Sequence, residues 1–163
     1  AHCMVANSQL FAFSPYSEYV YMVDPHSLNV KKAIAIRTKH GAARVKAPSV
    51  SLKDIHADGA NGRIATESQI MTFCYDHGSR QYVTSFYHPV AASTPDSNRS
   101  YKRDWSLLLL NDSFQTRQEF VLSGKQYSGS VWLCTERGIW VLRLDQGRQD
   151  PKAPKVFHRL RAR

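Results

Sequence analysis

The chain has 163 residues, 42% hydrophobic and 11% aromatic, which suits one self-sufficient domain and excludes disorder as the default state. Its net charge of +9, from 22 Lys and Arg against 13 Asp and Glu, draws anionic partners by field alone. The longest apolar run, residues 107–110, falls far short of the roughly 20 residues of a membrane-spanning helix, so a soluble protein with no membrane partner is expected.

The first 13 residues, "AHCMVANSQLFAF", lack the basic start and continuous apolar middle of a secretory signal. Cys3, Cys74 and Cys134 are odd in number and far apart, which argues against a disulfide framework and for a reducing compartment, cytoplasmic or nuclear. The Asn-x-Ser triplets at Asn98 and Asn111 matter only in a secreted protein.

In chain order, the strands are read from short alternating runs rich in β-branched and aromatic residues, each bounded by turn residues. "SQLFAFS" at 8–14 precedes "VYMVDPHSLNVKKAIAI" at 20–36, where a run ends on Asp24, turns and returns. Residues 37–63 are poor in large apolar side chains and rich in Gly, Ala, Lys and Arg, which predicts a long surface loop. "GRIATES" at 62–68 leads into "MTFCYDHGSRQYVTSFY" at 71–87, which turns after Asp76. A second long loop is predicted over 88–104, which holds two Pro and many small polar residues.

"SLLLLNDSFQTRQEFVL" at 106–122 repeats the pattern around Asp112, without a preceding strand. The fourth copy is "GSVWLCTE" at 129–136, then "WVLRLDQGRQ" with Asp145, an insert containing Pro at 149–154, and "KVFHRL" as a returning strand. Asp suits each corner because its carboxylate accepts hydrogen bonds from the backbone just ahead of it. Trp132 and Trp140 flank the break at 136–138 and are expected to be mostly buried, as a core pair or a cross-strand pair. Sustained helical periodicity is absent. The best helical windows, 113–122 and 156–163, are short and weakly amphipathic, so an all-β fold of propeller-like or repeated antiparallel hairpins is predicted, with at most one or two short helices. All 163 residues are read as a single domain.

The four Asp residues are 52, 36 and 33 positions apart, a range that brackets the repeat length of propeller blades. "GRIATESQIMTFCYDHGSRQYVTSF" resembles three strands of a WD-repeat blade, with Tyr75-Asp76 where Trp-Asp would stand. "YVYMVDPHSLNVKKAIAI" is similar to the blades of bacterial YVTN-type propellers. A second resemblance links "QIMTFCYDHGSRQYV" to the strand-turn-strand of a polo box, a curved sheet crossed by a helix that targets kinases. The first implies an interaction scaffold, the second a targeting domain.

Chemistry is sparse. No Cys-x-x-Cys or close His pair offers a zinc site, and Cys74 with His77 would need two more ligands. His56, Asp58, Asp76 and His77 are parts of a nucleophilic centre without a nucleophile elbow. No phosphate-cradling Gly loop leads into a helix. No catalytic residue, metal or cofactor is assigned. The positive signal lies in basic residues: Lys31, Lys32, Arg37, Lys39, Arg44 and Lys46; then Arg99, Lys102 and Arg103 beside Tyr101 and Trp105; then Arg159 and Arg161 near the C-terminus. They are the candidate contacts for a partner, an acidic protein first and a nucleic acid second, since either is anionic. A non-enzymatic interaction or scaffold domain is the leading expectation, with RNA or DNA binding and polo-box-like targeting as alternatives.

Overall fold

The computed structural model describes residues 2–15, 17, 19–39, 41–42, 68–90, 103–144 and 154–161. The chain is all-β and built of repeated antiparallel hairpins, with no helix among the described residues. Strands β1 (His2–Ala6), β2 (Gln9–Phe13), β3 (Tyr19–Val23) and β4 (Val30–Ala35) form a four-stranded meander. β5 (Arg37–Thr38) and β6 (Gly41–Ala42) pair as a short ribbon inside what the sequence predicts as loop. β7 (Gln69–Asp76), β8 (Gln81–Tyr87), β9 (Trp105–Leu110) and β10 (Thr116–Leu122) make a second meander. β11 (Tyr127–Thr135), β12 (Gly138–Arg143) and β13 (Phe157–Leu160) make a third sheet.

The three sheets stack. One core joins Phe11, Phe13, Val20 and Ile34 of the first sheet to Phe73, Tyr82, Phe86 and Leu108 of the second. A second core joins Val83, Trp105, Leu107 and Leu109 of the second sheet to Ile139 and Val141 of the third. The middle sheet therefore buries both faces. That is why β9 carries the continuous apolar run Leu107–Leu110 where a one-sided strand would alternate. Its buried Thr84 hydroxyl donates to the Thr72 carbonyl at 2.7 Å, so a polar group in the core keeps a partner.

The corners follow Asp chemistry with one displacement. Asp24 Oδ1 accepts from the N–H groups of His26 and Ser27, each at 2.9 Å. Asp76 accepts from the N–H groups of Gly78 and Ser79 and from the Ser79 hydroxyl at 2.6 Å. At the third corner the neighbouring residue does this work: Asn111 Oδ1 accepts from Ser113 and Gln115, at 3.0 and 2.8 Å, in place of the expected Asp112. Asp145, and all but Ser68 of "GRIATES", lie outside the described residues.

Two further expectations are corrected. The Asp-turn unit is a hairpin and not a sheet, since the second and third copies share one meander, β7 to β10. Trp132 and Trp140 do not pair. The two-residue turn at 136–137 sets Trp132 opposite Val141 and Trp140 opposite Leu133, and this register puts the two indoles on opposite faces. Trp132 packs on the second core, while Trp140 faces outward, half-buried, with its Nε1 donating to Thr135 Oγ1 at 3.1 Å.

Candidate functional site

Among the described residues β10 is an edge strand: it pairs with β9 on one side only. Beside it runs β5, tied across by Thr116 Oγ1 donating to the Arg37 carbonyl at 3.4 Å and by the Lys39 N–H donating to Glu119 Oε2 at 2.9 Å. Between them opens a groove of about 830 Å³. Among the described residues, its lining includes Arg37, Lys39, Arg117 and Arg161 against a single carboxylate, Glu119. All four cations are exposed. Glu119 is already engaged on both oxygens, because Ser106 Oγ donates to Oε1 at 2.5 Å. The groove therefore presents net positive charge to solvent, with half-buried Phe120 as its aromatic wall.

Arg117 is absent from the sequence-based set. The pairing of β10 with β9 jumps from Thr116↔Leu110 to Gln118↔Leu109, leaving Arg117 as the extra residue of a β-bulge. A bulge re-aims its side chain and bends the strand. No local sequence signal announces it.

Of the predicted residues, Arg37, Lys39 and Arg161 converge here, from distant parts of the chain. Lys31 is occupied elsewhere, its Nζ 2.6 Å from Asp24 Oδ2. Lys32 lies 5.0 Å from the centre of the Phe114 ring, and exposed Arg159 stands by the turn glycine Gly138. Two residues are corrected outright. Arg103, only 3% exposed, donates from Nε and Nη2 to the His88 carbonyl at 3.1 and 2.7 Å, with its guanidinium 5.3 Å from the centre of the Tyr87 ring. Trp105 is wholly buried, its Nε1 donating to the Tyr127 carbonyl at 3.3 Å. Both close the core where the second long loop rejoins the sheet, with the His88 N–H donating to the Asp104 carbonyl at 2.9 Å. Arg44, Lys46, Arg99 and Lys102 lie outside the described residues.

One polar chain has the residue types of a hydrolase triad without its order. His88 Nε2 is 2.7 Å from Ser106 Oγ, and the Ser106 proton goes to Glu119. The hydroxyl sits between imidazole and carboxylate, so His88 Nε2 donates to it instead of taking its proton. A nucleophilic serine needs the imidazole in the middle, and Ser106 is fully buried. Of the sequence-based parts, His77 is an exposed turn residue whose ring meets Tyr75 edge-on at 5.0 Å, and His56 and Asp58 lie outside the described residues. Among the described residues, no group of three His, Cys, Asp or Glu side chains is placed to hold a metal.

Cys74 and Cys134 face each other across the second core. The Cys74 thiol is pushed up because it donates to the Cys134 sulfur and because burial disfavours the thiolate.

No family model matches this chain, and no curated protein does. Among solved structures it is similar to a member of the DUF4221 family from Bacteroides vulgatus, with a TM-score of 0.68 and 11% identity. The match covers 97% of this chain and 45% of that one, so the chain spans less than half the length of its structural neighbour. The likeness is one of fold.

Proposed function

We propose that this chain is a non-enzymatic interaction module, working in a reducing cytoplasmic or nuclear compartment, whose basic groove takes an acidic segment of a partner protein. The supporting observation is the groove itself: Arg37, Lys39, Arg117 and Arg161 surround a carboxylate whose oxygens are already taken. An extended acidic segment lying along β10 would meet these cations in succession, and complementary potential supplies both steering and register.

A nucleic-acid ligand draws less support. Single-strand binding combines cations with exposed aromatic platforms, and of the two aromatics beside the basic run at 102–103, Trp105 is buried in the core, while Tyr101 lies outside the described residues. A polo-box-like role asks for a helix across the sheet, and the described residues contain none.

The test is titration of a fluorescent poly-glutamate peptide and of a single-stranded RNA of matched length, at low and physiological salt. The double variant Arg37→Glu/Arg117→Glu is expected to weaken peptide binding at least about tenfold, or 1.4 kcal/mol. Unchanged peptide affinity in that variant would overturn the reading. Tight RNA binding that falls steeply with salt, lost in the same variant, would replace it with the nucleic-acid alternative.

A further inference from the structure

Cys74 and Cys134 are free thiols on different sheets, and the fold turns both into the core between the second and third. Cross-strand partners share one face of their sheet. Cys74 is partnered by Val83 and Cys134 by Ile139, and both partners are buried in that core. β7 and β11 run in the same direction past each other. Near one end, Gly129 of β11 lies against the ring of Tyr87, the partner of Gln69 at the start of β7. At the other, a Cβ built on Gly78, just past β7, would stand 3.4 Å from the Glu136 Cα, just past β11.

The two cysteines lie between these contacts. Cα atoms of β7 and β11 come within 8 Å of one another, closer than the roughly 10 Å that separates face-packed sheets. A disulfide joins Cα atoms up to about 6.8 Å apart whose Cβ atoms turn towards each other, and the Cys74 thiol already donates to the Cys134 sulfur. A single buried cysteine packs as a small hydrophobe. Two sulfurs in contact, each only half-buried and so open to a small oxidant, have a chemistry of their own.

We propose that Cys74 and Cys134 are a redox pair, which a hydroperoxide converts into a disulfide that staples the second sheet to the third. Cys134 ionises first, because the hydrogen bond from the Cys74 thiol lowers its pKa, against the opposing effects of burial and of Asp76. Its thiolate attacks one peroxide oxygen and the O–O bond breaks. The other oxygen leaves as an alcohol, and Cys134 becomes a sulfenic acid. The Cys74 sulfur then attacks the Cys134 sulfur, the S–O bond breaks, and the oxygen departs as water with the Cys74 proton. The two thiols give up two electrons and two protons, and the peroxide is reduced to alcohol and water. In a reducing compartment a small thiol reverses the bond by exchange. Neither sulfur belongs to the described lining of the groove, so the redox pair and the acidic-ligand reading stand or fall separately.

The test uses the Cys3→Ser chain, which lacks the exposed thiol able to link copies. It is incubated with hydrogen peroxide, denatured, alkylated and weighed intact. Cys74 and Cys134 are expected to be alkylated before oxidation and protected after it, with their peptides joined within one chain, and dithiothreitol should restore both thiols. The oxidised form is expected to melt about 5 °C or more above the reduced one, because a disulfide closing a long loop restricts the unfolded chain. Cys74→Ser and Cys134→Ser should each abolish that shift. Should either fail to fold, Cys74→Ala or Cys134→Ala takes its place. Alkylation of both thiols after peroxide, their loss to sulfinic acid without an S–S bond, a disulfide joining two chains, or an oxidised form no more stable than the reduced one would overturn the proposal.

Discussion

Asp76 and Asn111 brace their corners with the same chemistry, a side-chain oxygen accepting backbone N–H groups two to four residues ahead. Asp76 is also buried and takes the Ser79 hydroxyl, so losing it leaves several donors unpaired. Asp76→Ala is expected to lower unfolding stability by about 2 kcal/mol, whereas Asp112→Ala, at an exposed position where Asn111 is the brace, should stay within about 0.5 kcal/mol. Urea denaturation of the two variants checks both values. At the first corner Lys31, with the N–H groups of Ser27 and His26, holds the Asp24 carboxyl well below its usual 3.8. A depressed carboxyl stabilises the fold above its ordinary pKa, and that contribution fades as acid protonates the folded carboxylate. Composition alone gives Arg103 and Trp105 a role at the surface, because a basic residue beside an aromatic suits phosphate and bases. Their burial depends on where the second long loop rejoins the sheet, which no local pattern encodes.

Hairpins are the level at which the sequence is most legible. The alternation in "QIMTFCYD" and "QYVTSFY" marks β7 and β8, and Asp76 with Gly78 marks the turn between them. The windows with the best helical spacing, 113–122 and 156–163, hold strands β10 and β13 instead. Tertiary pairing overrides weak periodicity there, since β10 completes a ladder with β9. "WSLLLL" carries a signal that an alternation-based reading passes over, for a strand buried on both faces has no polar side to show. Leu108→Ala, on a strand with no accessible side, is therefore expected to cost about 3 kcal/mol by loss of burial and creation of a cavity. Its measured unfolding free energy against the wild-type value checks this. Arg117 owes its place to a bulge whose position depends on the pairing partner, which explains why the sequence singles out Arg37, Lys39 and Arg161 but passes over the residue between them.

At the scale of the whole molecule, the Asp spacing does not count sheets, since the second and third copies lie 36 residues apart within one sheet and the third and fourth 33 apart in two. The second and third Asp-turn copies are halves of one sheet, while the first and last belong to sheets of their own. The groove has no sequence signature because it joins residues 37–39, β10 and Arg161, segments that only the stacking brings side by side. Among the described residues its cations are exposed and its one carboxylate is satisfied, and this asymmetry carries the functional reading. Amide hydrogen exchange with and without saturating poly-glutamate peptide tests that reading where it makes its claim. Slowed exchange is predicted along 116–122 and 37–39, with 138–143 of the third sheet unchanged. Peptide binding that leaves 116–122 unprotected, or that protects another face instead, would contradict it.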